Sequence, residues 1–238
     1  MTVKLVSYTK PADGYFYEEI NDMQQLVAFC ARLSNPSNQN NTASSEKLLK
    51  YLVKNKHWSP FEMVHVCLEI ITTRDIARQI LRHRSFSFQE FSHRYADVTA
   101  AGSGLEFQLR EARWQDPKNR QNSVAMDESD IEQKYIAVQW EKKQKDMIEW
   151  VEEQYRWAID NGIAKEQARV ILPEGLTQSR LYMSGTLRSW IHYIDLRAGN
   201  GTQLEHQVIA RQCLAELAKI VPMLNPDTPD GFQFGQDH

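Results

Sequence analysis

Residues 82–95 read Arg-His-Arg-Ser-Phe-Ser-Phe-Gln-Glu-Phe-Ser-His-Arg-Tyr, and this stretch concentrates the binding chemistry of the chain. Three arginines, two histidines and one glutamate are interleaved with three phenylalanines and a tyrosine, so fixed positive charge lies beside flat apolar surface. Arginine suits a phosphate because its planar guanidinium donates to two oxygens at once and stays charged at any working pH. The stretch therefore predicts a site for a phosphorylated ligand that carries a ring.

The residues before this stretch predict a helix that leads into it. Thr72 or Thr73 can cap a helix whose apolar positions recur at spacings of three and four residues. Gln79 and Arg82 are three residues apart, so we expect them to be neighbours on the surface of that helix.

After the helix, the pattern changes to that of an extended chain. Side chains alternate between the two faces of a strand, so Glu90, Ser92 and Arg94 are expected to project to one side. A carboxylate, a hydroxyl and a guanidinium would then line one pocket. A lone Arg-His-Arg triplet is more often a basic helix end in solvent, and only the wider spacing favours a binding site.

That wider spacing resembles the signature of the flavin-dependent thymidylate synthases. Arg82-His83-Arg84 is followed after seven residues by Ser92, and then by Arg94-Tyr95. Further segments that resemble blocks of this family are His-Trp-Ser-Pro-Phe-Glu at 57–62, Ala-Arg-Gln at 77–79, Ala-Arg-Val-Ile-Leu-Pro at 168–173, and 187–198. The resemblance extends from about Met23 to Pro222, which is most of the chain.

We predict an α/β (α+β) fold like that of this family, a mixed sheet with a long helix and C-terminal helices. The 238 residues are 42% hydrophobic and contain no Gly/Ser/Pro-rich linker, so we expect one domain over 1–238, with 223–238 as a loose tail. Alternating apolar residues predict a strand over about 64–70. A stripe of apolar residues that includes Trp140 and Met147, with Gly162 as a stop, predicts a long helix over about 129–161. We also predict a strand near 106–110, a strand over 178–186, and helices over about 187–197 and 203–220.

The composition restricts the function classes. A net charge of −3 argues against a nucleic-acid-binding surface and favours small anions, since the positive charge is local. There is no apolar run long enough for a membrane span and no signal-peptide core, so we expect a cytoplasmic protein. Three cysteines without paired spacing favour reduced, buried thiols, and no cluster of residues has the spacing of a metal site.

The resemblance implies an activity. In this family, dUMP is methylated at C5 to give dTMP, with methylenetetrahydrofolate as carbon donor, FAD as hydride carrier and NADPH as reductant. No cysteine adds to the uracil ring, and the family's homotetramer builds each active site from several subunits. The resemblance gives Arg197 the role of stabilising negative charge that develops in the pyrimidine.

The resemblance also implies the ligand contacts. The family's dUMP contacts correspond to Gln79, Arg82, Glu90, Phe91, Ser92, His93, Arg94, Arg169 and Arg197, with Phe91 and His93 contributing backbone donors. Its FAD contacts correspond to His57, Ser59, Arg82, His83, Arg84, Glu90, Thr186, Arg188 and His192. Thr186 stands where many members have asparagine, and His57 is as readily explained as a residue that caps the loop before Pro60. A role for Ser92 as a nucleophile is disfavoured because no His–carboxylate pair is evident beside it.

One block departs from the family pattern. After Leu196-Arg197-Ala198, Gly201 occupies the position at which relatives commonly have a histidine. Two other readings remain open: a non-catalytic pyrimidine-nucleotide-binding protein of the same fold, and a purely structural helical oligomer. The first would bind dUMP without a flavin, and the second would bind neither.

Overall fold

The computed structural model describes residues 1–14, 20–95 and 106–227. The strands are β1 Thr2–Tyr8, β2 His65–Thr73, β3 Ser87–Glu90, β4 Arg113–Gln115, β5 Ser123–Ala125 and β6 Gln178–Thr186. The α-helices are α1 Met23–Ala31, α2 Ser45–Lys54, α3 Arg74–Ile80, α4 Ile131–Asp160, α5 Lys165–Ala168, α6 Leu187–Arg197 and α7 Leu204–Ala218. This mixture confirms the predicted α/β class, and β6 and α6 have the predicted bounds.

Four of the strands form one sheet in the order β1-β2-β6-β3, and β4 pairs with β5 in a separate antiparallel hairpin. The sequence did not predict this hairpin, because strands of three residues are too short to show a period. The strand predicted near 106–110 is wrong: Phe107 forms only an isolated bridge with Thr177.

Strand β2 follows the alternation expected from its sequence. Val66, Leu68 and Ile70 are buried, whereas His65 is exposed and Glu69 is half-buried. One face of the strand therefore packs on the core, as the period of two requires.

Helix α3 begins after Thr73, as predicted, but the threonine hydroxyl does not cap the helix backbone. It donates instead to Asp75 Oδ1 at 2.5 Å, and Arg110 Nη2 donates to Thr73 Oγ1 at 2.8 Å. The start of the helix is therefore held by a side-chain network with Arg110, which the local sequence could not indicate.

The long helix α4 has defined ends. Asp130 precedes it, and Oδ1 of this residue accepts from the backbone N–H groups of Glu132 and Gln133 at 2.9 and 3.1 Å. Gly162 follows the helix with a φ of +78°, a conformation that favours glycine. Both ends agree with the prediction to within two residues.

The chain separates into two compact units. The middle unit comprises Ile71–Arg82 and Gln89–Leu181, together with Met1, and the terminal unit comprises Thr2–Ile70, His83–Phe88 and Tyr182–His238. The prediction of one domain stays a prediction.

The core of the terminal unit is built from large side chains. Trp190, Tyr193, Phe61 and Leu49 are fully buried, and Trp190 Nε1 donates to the Val66 carbonyl at 3.0 Å. Burial of each large apolar side chain contributes roughly 1.5–3 kcal/mol, so α6 is firmly seated in this unit.

The middle unit contains a smaller core cluster of Tyr155, Ala158 and Ala168. Phe91 and Leu172 pack against this cluster. Residues close to the predicted ligand site are therefore held in place by the C-terminal part of α4.

The segment expected to form a loose tail is partly packed. Met223 and Leu224 are buried, and the Met223 backbone N–H donates to Gln24 Oε1 at 2.8 Å. The rest of this prediction, residues 228–238, lies outside the described residues. Among the helices that the structure describes, none has the length and apolar character needed to cross a bilayer.

Candidate active site

Glu90 ends strand β3 and lies in the middle unit. Ser179, which is buried in β6, donates its hydroxyl to Glu90 Oε1 at 2.8 Å. The pairing of β3 with β6 continues for one residue beyond Glu90, because the Phe91 backbone N–H donates to the carbonyl of Arg180 at 2.8 Å. The Glu90 carboxylate is therefore fixed by the sheet.

The chain turns immediately after this point. The Tyr95 backbone N–H donates to the Ser92 carbonyl at 3.1 Å, and Ser92 Oγ accepts from the Arg94 backbone N–H at 3.4 Å. The expectation that Glu90, Ser92 and Arg94 alternate along one extended segment is therefore wrong. Local hydroxyl-to-backbone bonding of this kind competes with extended structure.

The turn brings Arg94 to a residue far away in sequence. Arg94 Nη2 lies 3.3 Å from Glu166 Oε2, and Arg169 Nε donates to the Glu166 carbonyl at 3.3 Å. Two arginines predicted to bind the same ligand thus meet at Glu166. Both groups of the Arg94–Glu166 pair are about half exposed, so the pair itself adds little stability.

A second arginine pair lies in the same unit and was missed as part of the site. Arg74 Nε and Arg78 Nε each lie 3.0 Å from an oxygen of Glu174. Burial alone would raise the pKa of Glu174, but hydrogen bonds from the two guanidinium groups lower it below its usual value. The start of α3, with two arginines four residues apart, was the sequence signal.

His93 is subject to charges from both arginine pairs. It is 1% exposed, and among the described residues neither of its ring nitrogens has a hydrogen-bond partner. Burial lowers the pKa of His93, the positive charges of Arg74, Arg169 and Arg78 add to this effect, and Glu174 opposes it. The resulting pKa is about 4. The imidazole is therefore neutral near pH 7, and its ring lies edge-on to Phe91, 5.3 Å between centroids.

Together these contacts define a cationic cluster, which comprises Arg74, Arg78, Arg94 and Arg169 with Glu166 and Glu174. Four guanidinium groups stand against two carboxylates. The excess of fixed positive charge can hold an anion such as a phosphate.

The Arg-His-Arg triplet lies in the turn between α3 and β3. Helix α3 ends at Ile80, so the prediction that Arg82 lies on the helix surface is wrong, although its backbone N–H still donates to the Gln79 carbonyl at 3.4 Å. Arg82 and Arg84 are exposed, whereas His83 is half-buried.

His83 and Arg197 are in contact in the terminal unit. Arg197 Nε donates to His83 Nε2 at 3.0 Å. Because a guanidinium can only donate, His83 Nε2 carries no proton in this contact, and the ring is neutral with its proton on Nδ1. The bond uses one of the five N–H donors of Arg197.

Arg188 and His192 both lie on α6. Arg188 Nη1 forms an ion pair with Glu62, and the His192 ring lies 4.4 Å from that of Trp58. Burial, followed by the charge of Arg188, lowers the pKa of His192. The segment 57–62 is thus joined to α6 by two side-chain contacts.

The remaining predicted flavin contacts are His57, Ser59 and Thr186. His57 and Ser59 are exposed. Thr186 is the N-cap of α6, where its Oγ1 accepts from the Ser189 backbone N–H at 3.2 Å. Its hydroxyl therefore already has a structural role at this position.

The structure separates the predicted site residues into two groups. The middle unit holds Gln79, Arg82, Glu90, Phe91, Ser92, His93, Arg94 and Arg169. The terminal unit holds His57, Ser59, His83, Arg84, Thr186, Arg188, His192 and Arg197. In the part of the chain that the structure describes, no group of three or more His, Cys, Asp or Glu residues is placed to hold a metal ion.

Comparisons with known proteins identify the family of the chain. The family model described as thymidylate synthase complementing protein matches residues 16–223. A probable flavin-dependent thymidylate synthase of Paramecium bursaria Chlorella virus 1 is 46% identical over 224 residues, which cover 94% of this chain and 97% of the relative. A flavin-dependent thymidylate synthase of Synechocystis sp. is 48% identical over 214 residues, which cover 88% and 91%.

A solved structure shares the fold. The UMP/dUMP methylase PolB from Streptomyces cacaoi, bound with 5-Br dUMP, superposes with a TM-score of 0.72 at 28% sequence identity. The match covers 92% of this chain and 90% of that one. With a family model that matches most of its length and near full-length relatives at 46% and 48% identity, the chain belongs to the family of flavin-dependent thymidylate synthases.

Proposed function

We propose that this chain is a flavin-dependent thymidylate synthase, which converts dUMP to dTMP. One observation carries the proposal: two relatives that match most of this chain, and most of their own length, bear that name, one of them as probable. The carbon donor would be methylenetetrahydrofolate and the reductant NADPH, as the sequence resemblance implies.

The cationic cluster supports dUMP as the substrate. Arg94 and Arg169 meet at Glu166, and Ser92 lies in the turn that positions Arg94. A nucleotide phosphate would take the guanidinium N–H donors and the Ser92 hydroxyl. We assign Gln79, Arg82 and Glu90 to the same ligand, and the bound 5-Br dUMP of the PolB structure supports this nucleotide class.

The terminal unit has a donor set that fits FAD. Arg84 and Arg188 supply fixed cations suited to a diphosphate, Ser59 supplies a hydroxyl, and His192 with Trp58 supplies flat ring surface. When bound, FAD would supply the hydride that turns the transferred methylene into a methyl group. His57 and His83 are assigned to the same cofactor.

Arg197 would polarise the pyrimidine. Its bond to His83 fixes the guanidinium through Nε, and the other N–H groups are then available to the uracil O2, and to N3 once that nitrogen has lost its proton. A fixed donor there stabilises negative charge as C5 attacks, so no cysteine needs to add to the ring.

The active protein would be a homotetramer in which neighbouring subunits complete each site. Apolar residues exposed along α4, such as Ile131 and Val138, support this assembly because one chain leaves them uncovered. A cytoplasmic location stays a prediction.

A spectrum and a product assay test this function together. Purified protein supplied with FAD should show the visible absorption of oxidised flavin and lose it on addition of NADPH. Addition of dUMP and methylenetetrahydrofolate should then yield dTMP. A protein that binds dUMP but neither binds FAD nor forms dTMP would be the non-catalytic nucleotide-binding protein, and one that binds neither ligand would be the structural oligomer.

A pair of matched variants tests the phosphate assignment. Arg169→Ala removes a member of the cationic cluster and should weaken dUMP binding at least tenfold, since a hydrogen bond to a charged group is worth about 1.5–3 kcal/mol. Arg120→Ala removes an exposed arginine between β4 and β5, outside the cluster, and should leave the affinity unchanged. Equal affinities of the two variants for dUMP would contradict the assignment.

A further inference from the structure

A buried polar pair lies behind the His83–Arg197 contact. The Tyr193 hydroxyl lies 3.0 Å from His206 Nε2, and the two residues are 1% and 0% exposed. The His83 ring meets Tyr193 edge-on, with 4.9 Å between ring centroids and an interplanar angle of 83°. The contacts thus run without interruption from His206 through Tyr193 and His83 to Arg197.

Packing also restrains the Tyr193 ring from other sides. It lies 5.8 Å from Trp190 and 6.0 Å from Phe86, each in an edge-on geometry. Phe86 is in turn tightly seated, because a Cβ on Gly185 would lie 2.5 Å from Phe86 Cδ1. The Tyr193 ring is therefore a rigid wall for the His83 imidazole.

We infer that Tyr193 and His206 are positioning residues for Arg197. Their hydrogen bond fixes the Tyr193 ring, the ring fixes the orientation of the His83 imidazole, and His83 Nε2 in turn holds Arg197 through Nε. The inference rests on the role proposed above for Arg197, and it adds two residues to which neither the sequence signature nor the comparisons assign a role.

The chemistry of the pair favours positioning over a share in proton transfer. Burial, with a smaller contribution from the charge of Arg197, lowers the pKa of His206 to about 3. Burial raises the pKa of Tyr193 well above its usual value. Both groups therefore stay neutral at any working pH, and their bond holds one geometry without moving charge.

Packing of the core does not by itself require polar groups at Tyr193 and His206. A phenylalanine and a leucine would fill similar space without bringing two polar groups into a dry environment, where a polar group without a partner destabilises the fold. The hydrogen bond offsets that cost and adds direction, which apolar packing lacks.

Crystal structures of ligand-free variants test the inference directly. Tyr193→Phe removes only the hydroxyl, and His206→Leu removes its partner, so we expect the Arg197 Nε–His83 Nε2 distance to exceed about 3.5 Å in both. His206→Gln returns an acceptor and should restore the contact. Tyr155→Phe, which removes another fully buried tyrosine hydroxyl, is the control and should retain it. An intact Arg197–His83 bond in both Tyr193→Phe and His206→Leu would overturn the inference.

A double-mutant cycle provides a second measurement. Tyr193→Phe should lower kcat for dTMP formation about tenfold, leave flavin reduction by NADPH unchanged, and have no further effect in the Arg197→Ala background. If the reductions in kcat caused by Tyr193→Phe and Arg197→Ala multiplied in the double variant, Tyr193 would only support the core. An equal loss of kcat in Tyr155→Phe would mean the same. If wild-type protein formed no dTMP, the proposed function would fail, whereas the distance in the ligand-free crystals would still decide the inference.

Discussion

Arg197 is the residue on which the proposed chemistry depends most. Within the part of the chain that the structure describes, its guanidinium is held by one hydrogen bond, from Nε to a neutral histidine, so its remaining donors stay available to a ligand. A cation fixed in advance stabilises developing charge without reorganising during the reaction.

Replacement of this residue should separate methyl transfer from flavin reduction. Arg197→Ala is expected to lower kcat for dTMP formation by about a hundred- to a thousandfold, while NADPH still reduces the flavin. Arg197→Lys keeps the positive charge but loses the planar guanidinium with its paired N–H donors, so it should recover only part of the rate. Product formation and flavin bleaching are measured at saturating dUMP. Wild-type dTMP formation by Arg197→Ala would exclude this role.

The three cysteines are not placed as nucleophiles. Cys213 is buried, Cys30 and Cys67 are half-buried, and burial raises the pKa of all three thiols. A thiol with a raised pKa is protonated near neutral pH and reacts poorly.

A variant with Cys30→Ser, Cys67→Ser and Cys213→Ala should therefore keep measurable dTMP formation. Loss of the buried sulfur of Cys213 should destabilise the fold by on the order of 1 kcal/mol. The assay compares product formation with the midpoint of thermal unfolding. If one single substitution abolished activity while FAD binding and folding were retained, that result would support covalent catalysis by the replaced cysteine.

His93 should make the protein less stable in acid. Its folded pKa, about 4, lies below the usual value, so between pH 6.5 and pH 4 the unfolded chain binds a proton that the folded chain does not. Stability from this group is complete above pH 6.5 and falls on acidification by on the order of 1.4 kcal/mol per pH unit.

His93→Leu should remove this contribution and flatten the pH dependence. Urea unfolding between pH 7 and pH 5, at fixed protein concentration, measures the slope. His65→Asn, which changes an exposed histidine on β2, should keep the wild-type slope. An unchanged slope in His93→Leu would show that His93 does not titrate as its burial requires.

At the scale of elements, the end of α4 depends on one glycine. Gly162 has a φ of +78°, and no atom of the described residues lies within 4 Å of the position that a Cβ would take. A side chain there would fit the space but not the backbone conformation, so the cost is conformational.

Gly162→Ala should therefore destabilise the protein by about 1–2 kcal/mol. Gly175→Ala is the matched control, because Gly175 has no positive φ and its Cβ would make an ordinary contact at 4.0 Å with Asp75. Chemical denaturation measures both. Equal stabilities of the two variants would contradict a left-handed conformation at Gly162.

At the scale of the whole molecule, α4 is only partly covered by its own chain. Val151, Tyr155 and Ala158 are buried, whereas Trp140 and Met147, which the sequence places on the same apolar stripe, are 44% and 42% exposed. Ile131 is 87% exposed near the start of the helix. Apolar surface of this kind commonly marks a protein interface.

The exposed part of α4 should be covered in the proposed homotetramer. Light scattering of the purified protein is expected to give the mass of four chains. A double variant, Ile131→Glu with Val138→Glu, should reduce the mass because two carboxylates would be buried without partners. Lys142→Glu changes an exposed, polar position of the same helix and serves as the control. A fully active wild-type monomer would contradict the assembly.

Local sequence patterns predicted the periodic elements and indicated the family. Alternation predicted β2, apolar spacing with Gly162 as a stop predicted α4, and the spacing from Arg82 to Arg94 indicated the family. These features are local, because a period or a cap depends on neighbours in the chain. The short hairpin and the turn at Ser92 were not predicted, since three- and four-residue patterns carry too little periodic information.

Only the tertiary structure decided which distant residues meet. Arg94 reaches Arg169 through Glu166, and Arg197 reaches His83, across 114 positions of sequence. The burial of His93 and its neutral state likewise depend on the tertiary structure, because burial and the charges around a group set its pKa. Such contacts arise when separate elements pack into a common core, and no local pattern in the chain specifies that packing.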